Sequence, residues 1–213
     1  MTISPTALEL GRLLRSGTSG CVVGCRVNQM SVPEFGGMVR IPIDGPDGVE
    51  IYGLIYDIHI DDDGLVRQLI TAERVQESII QDNRLNRNVP VEISVLFIGY
   101  TQKEKVYHLL PPRPPLTLDC IYTCTSEEIR RFTAAGRFGY LRHILRMENV
   151  PTGELLAAHL QMAANEHCQA GGSAWAGSAA RELITLLRDD YPALMGVLGA
   201  LADTDTQFRR QEN

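Results

Sequence analysis

The stretch VEISVLFIGY, residues 91–100, decides the architecture of the first half of this chain. Val91, Ile93, Val95 and Phe97 fall on one side of an extended strand, and Glu92 and Ser94 fall on the other. A period of two with one apolar face marks a half-buried β-strand. Downstream, Lys105–Leu110 is placed to complete a hairpin with it. Upstream lie four more extended runs, Cys21–Asn28, Met38–Ile43, Val49–Ile60 and Leu65–Ile70. The Pro33/Gly36/Gly37 loop, Asp44–Gly48 and Asp61–Gly64 separate them, and glycine in such turns supplies positive φ at little cost. Ala72–Asp82 reads as a single short helix. Many short strands with frequent glycine turns predict a closed barrel, because closure removes the edges an open sheet leaves exposed.

The character of the chain changes at HLLPPRPPLT, residues 108–117. Pro111, Pro112, Pro114 and Pro115 can neither donate ladder hydrogen bonds nor continue a helix, so this segment is extended and stiff. Beyond it, Asp119–Cys124 is one more extended piece. Thr125-Ser126-Glu127-Glu128 has the spacing of a capping box, in which the threonine oxygen takes an orphan amide and Glu128 reaches back. Helices are expected over 126–135, 138–148, 152–169, 174–189 and 192–202, with Gly136, Pro151, Gly171/Gly172 and Pro192 as the breaks. The expected fold class is α+β: a small closed β-barrel of about six strands, then an α-helical domain. The expected division is an N-terminal segment 1–17, a barrel 18–115 and a helical domain 116–213, separable at the prolines.

The 213 residues are 44% hydrophobic and carry a net charge of −6, which suits a globular protein with a real core and excludes one that coats nucleic acid along its whole surface. The N-terminal segment holds Glu9, Arg12 and Arg15 among its leucines, so no secretory h-region is expected there, and no apolar run is long enough to span a bilayer. Five cysteines, an odd number in a chain of this size, point to a reduced, cytoplasmic setting.

No Gly-Lys pair occurs, which removes the phosphate-binding loop, and G-x-S-x-G and H-E-x-x-H are also absent. Cys21/Cys25 and Cys120/Cys124 resemble two halves of a thiolate metal site, but four residues along a strand span about 13 Å, too far for one zinc. His159 and Glu166 share a helix face without a third ligand, and Asp61–Asp63 lacks the EF-hand pattern. No metal or cofactor is therefore expected. The segment 129–147 is different: it holds no carboxylate, yet carries Arg130, Arg131, Arg137, Arg142, His143 and Arg146 among Phe132, Phe138 and Tyr140. Arginine forks beside aromatic rings suit phosphate or an acidic protein surface, so Arg130, Arg137, Arg142, Arg146 and Tyr140 form the candidate interaction surface. The bland alternative is a solvated helix face whose arginines pair within the molecule.

Three glycine-based motifs carry a resemblance to a known family: Gly20–Gly24 (GCVVG), Phe35–Ile41 (FGGMVRI) and Tyr52–Ile58 (YGLIYDI). Together with the Val91–Gly99 strand and the proline-rich exit, they resemble the HAS (HerA–ATP synthase) barrel over residues 18–125. In that family the barrel precedes a RecA-type ATPase and helps assemble a ring. Here a helical domain stands where the ATPase would be. The resemblance thus implies a non-catalytic adaptor or assembly subunit, not an enzyme. Its implied partner is a HerA-like ATPase or nuclease in DNA processing, and self-association into an oligomer is compatible with it. The alternative is a nucleic-acid-binding protein that uses the barrel or the arginine segment. A small metal-dependent hydrolase is the third class, and no nucleophile–base pair supports it.

Overall fold

The computed structural model describes residues 7–28, 33–60, 64, 71, 76–86, 88–148, 150–172 and 174–209. Its strands are β1 (Glu9–Ser16), β2 (Gly20–Asn28), β3 (Met38–Ile43), β4 (Val49–Ile60), β5 (Asn88–Gln102), β6 (Lys105–Tyr107) and β7 (Cys120–Thr123). Six of them close a fully antiparallel barrel in the order β1-β7-β3-β4-β5-β2, with β2 returning to β1. The short β6 extends β5 as a hairpin. The alternation in 91–97 is realised: Val91, Ile93, Val95 and Phe97 fill the barrel interior with Leu13, Val23, Ile41, Ile51 and Ile121. The expected strand Leu65–Ile70, the turn Asp61–Asp63 and the start of the expected helix Ala72–Asp82 lie outside the described residues; α1 is Glu77–Asn86.

The barrel reaches past both ends of the expected 18–115. β1 lies in the expected N-terminal segment, and β7 lies beyond the prolines, wedged between β1 and β3. The period of two in β1 is broken by pairing irregularities at Glu9/Gly11 and at Leu13/Arg15. Both inward residues, Leu10 and Leu13, are buried yet stand three apart, which disguises the strand in the sequence. The proline segment is a strap and not a spacer. Pro111 and Pro115 are buried, the Ser16 hydroxyl donates to the Pro115 carbonyl, and Arg113 donates to Asp44 O at 3.3 Å.

The helical part comprises α2 (Ser126–Ala134), α3 (Leu141–Leu145), α4 (Thr152–Gln169), α5 (Ala174–Leu186) and α6 (Tyr191–Arg209). The capping box forms as its spacing requires. Glu128 N donates to Thr125 Oγ1 at 3.3 Å, and Thr125 N donates to Glu128 Oε2 at 2.7 Å. The expected helix 138–148 is cut down to α3 and a preceding 3₁₀ turn, Gly136–Phe138. The helices lie on the outer face of the barrel. Met38, Tyr52, Leu54, Leu96 and Ile98, which point away from the barrel interior, join Phe132, Tyr140, Leu141, Leu156 and Leu160 in one core. Tyr52 stacks on Phe132 at 4.7 Å, and the loop at Gly36 (φ +80) presses so closely on α4 that an added Cβ would stand 2.8 Å from the Ala158 methyl. Among the described residues, no helix is long and apolar enough to cross a membrane.

A polar network welds the rim of the same seam. Arg40 Nη1 meets Glu50 Oε1 at 3.0 Å, and its Nε meets Glu128 Oε1 at 2.9 Å, so the carboxylate that caps α2 also holds β3. Arg131 donates to the Tyr52 hydroxyl at 3.2 Å and to Glu104 at 2.6 Å, and Tyr52 donates to Glu50 at 3.2 Å. The Arg40–Glu50 and Arg131–Glu104 contacts are charge-assisted hydrogen bonds, which fix geometry as well as adding energy, whereas Arg40 Nε and Glu128 form a close ion pair without hydrogen-bond alignment.

Candidate interaction surface

The arginine segment folds into α2, a tight turn and α3. Gly136, Arg137 and Phe138 are consecutive left-handed residues with φ of 56°, 50° and 57°. For a side chain this conformation costs roughly 1–2 kcal/mol per residue, so neighbours must hold it. Phe138 packs on Trp175 with centroids 5.5 Å apart, and Gly139 N donates to Gly136 O at 3.0 Å. Position 136 tolerates no side chain, because a Cβ there would stand 2.7 Å from His108 Nδ1.

The five candidate residues do not form one surface. Tyr140 is fully buried, with ring contacts to His108, Phe132 and His159, so it cannot stack on a ligand. Burial away from charge raises its phenol pKa well above the usual range. Arg142 is turned inward and donates to the His108 carbonyl, which also takes His143 Nε2 at 3.2 Å. Arg130 pairs with Glu166 at 3.8 Å. Arg137 and Arg146 remain exposed and form no hydrogen bond or ion pair with another described residue. The bland reading therefore holds for Arg130 and Arg142, whose partners lie inside the molecule.

Two residues that the sequence did not single out follow the strap's anchor at His108. Because α3 grips the His108 carbonyl, Leu109 and Leu110 emerge next to it, 52% and 44% exposed. Leucines inside a proline strap were the available signal, since such a strap has no interior in which to bury them. What the segment exposes is therefore Arg137 and Arg146 on either side of α3, and Leu109 and Leu110 on the strap that α3 holds at His108.

The other sequence candidates are not brought together. His159 bonds to the Tyr140 hydroxyl at 3.2 Å and Glu166 faces Arg130, so the two do not share a site. Cys21 faces the barrel interior and Cys124 the outer core, so the two cysteine pairs are split between cores; burial pushes the Cys21 thiol up to about 12. All five cysteines are free thiols, and among the described residues no three His, Cys, Asp or Glu side chains gather as a metal site. The chain matches no protein-family model and no curated protein.

Proposed function

We propose that this chain is a non-catalytic adaptor or assembly subunit of the HAS-barrel type, working in the cytoplasm beside a HerA-like DNA-processing ATPase or its nuclease. The observation that carries the reading is the Arg137/Arg146 and Leu109/Leu110 surface. An acidic protein holds a strained left-handed turn in place, and the arginine at its tip has no ion pair among the described residues. Unpaired arginine forks beside exposed apolar side chains match an acidic protein face with hydrophobic residues at its centre. The six-stranded barrel supports the family reading by its strand number and closure alone, which is an argument by analogy.

A protein partner is favoured over nucleic acid by a simple magnitude. Two free arginines neutralise about two phosphates, which gives a salt slope near −2 and weak binding at physiological salt. Single-strand binding also needs exposed rings for stacking, and Phe132 and Tyr140 are buried.

The test mixes the purified chain with the HerA-like ATPase of the same genome and measures co-elution by size exclusion with light scattering. Arg137→Gln/Arg146→Gln is expected to keep its fold and to weaken the complex at least tenfold. Absence of any complex with the wild-type chain, or salt-sensitive oligonucleotide binding stronger than protein binding, would overturn the proposal.

A further inference from the structure

A second surface, around the outward side chains of β1, is built by two separate backbone irregularities. The first is the bulge between Leu13 and Arg15, which turns the extra residue, Leu14, outward at 48% exposure. The second is Leu118, which sits at φ 71°, a left-handed conformation rare for a bulky side chain, and is 67% exposed. Leu118 is pinned there from both sides. Its N–H donates to Leu13 O at 2.9 Å, its carbonyl takes Arg12 Nη1 at 3.0 Å, and Asp119 Oδ2 accepts from Leu116 N at 2.8 Å. Leu14 and Leu118 line one open groove of about 590 Å³, several times the volume of a leucine side chain. Its other walls include Gly11, Gly24, Pro90 and Val91.

The charges along this groove are balanced. Arg12 meets Glu9 at 4.0 Å and Arg15 meets Glu92 at 3.9 Å, both loose and largely solvated pairs. Glu9 and Arg15 lie near opposite ends of the same strand. A twofold axis through the middle of β1 would set Glu9 of one copy against Arg15 of the other, and the reverse. The rest of the chain is net acidic, so two copies repel each other broadly and can approach only where the surface is neutral and apolar.

We infer that this groove is the contact of a twofold-symmetric homodimer, in which Leu118 of each copy enters the groove beside Leu14 of the other. An isologous contact requires a self-complementary patch, and this one carries leucine walls, open space and two Arg/Glu pairs, Arg12 with Glu9 inside the groove and Arg15 reaching Glu92 from its rim. Twelve residues line the groove, fewer than the roughly 20–30 per side of a standard interface, so a weak, concentration-dependent association is expected. The inference is independent of the partner proposed above, since none of Leu109, Leu110, Arg137 and Arg146 lines this groove.

Sedimentation velocity on the full chain, over a concentration series from low to high micromolar, tests it. Wild-type protein is expected to shift from monomer to dimer across the series. Leu118→Gly removes the side chain and relieves the left-handed strain, so it should weaken association at least tenfold while the dilute monomer melts no lower than wild type. Leu14→Gln should weaken association similarly and provides a second variant that leaves Leu118 in place. Wild-type protein that stays monomeric throughout, a larger ring in place of a dimer, or association unchanged in both variants would each overturn the inference.

Discussion

Replacing His159 with glutamine should remove most of one proton's worth of acid sensitivity from this protein. His159 is 1% exposed, sits on α4 against the Gly36 loop, and shares a hydrogen bond only with the Tyr140 hydroxyl. Nδ1 faces the Gly36 backbone without a full hydrogen bond. Burial lowers its pKa from 6.5 to about 4, and the Gly36 backbone opposes that only in part. The lowered value means that the unfolded chain takes up a proton before the folded one does. Stability is therefore complete above pH 6.5 and is lost as pH falls towards 4, by about 1.4 kcal/mol per pH unit and about 3 kcal/mol in all. His108 and His143 are shifted in the same direction, chiefly by burial, and add to the slope. Urea denaturation at pH 8.0, 6.5, 5.5 and 4.5 measures it, with His159→Gln as the comparison. The variant should be less stable at pH 8 and should lose stability less steeply on acidification. A flat wild-type profile between pH 7 and 5, or an identical slope in the variant, would refute the reasoning.

Three further outcomes follow from the seam between barrel and helices. Truncation after residue 112 removes β7, opens the barrel between β1 and β3 and bares Tyr52, Leu54, Leu96 and Ile98, so fragment 1–112 should lack a cooperative melt by circular dichroism; a folded fragment would show that the barrel closes without β7. Arg40→Ala leaves Glu50 and Glu128 without their shared cation and should cost about 2–3 kcal/mol in urea denaturation, with Arg40→Lys recovering part of it. Gly36→Ala, at φ +80 and with a new Cβ 2.8 Å from Ala158, should cost about 2 kcal/mol or more, and an unchanged melting temperature would show that the loop can yield.

The sequence by itself determined the local structure: the alternation of 91–97, the runs 38–43 and 49–60, the capping box at Thr125–Glu128 and the helix 152–169 all follow from short-range pattern, and the structure has them at those positions. Each is written in the spacing of neighbouring residues, which is what period, cap and turn chemistry report. Tertiary structure alone decided how far the barrel extends and what the arginines do. β1 hides its period behind two bulges, and β7 is four residues that gain strand character only by filling the gap between β1 and β3. The outward faces of β4 and β5 are apolar because helices cover them, which merges two expected domains into one continuous seam. Tyr140 and Arg142 look like surface residues in a basic segment, and packing turned both inward, towards His159 and His108. Whether a guanidinium is free depends on which carbonyl or carboxylate the fold brings within reach, and those partners lie tens of residues away in the chain.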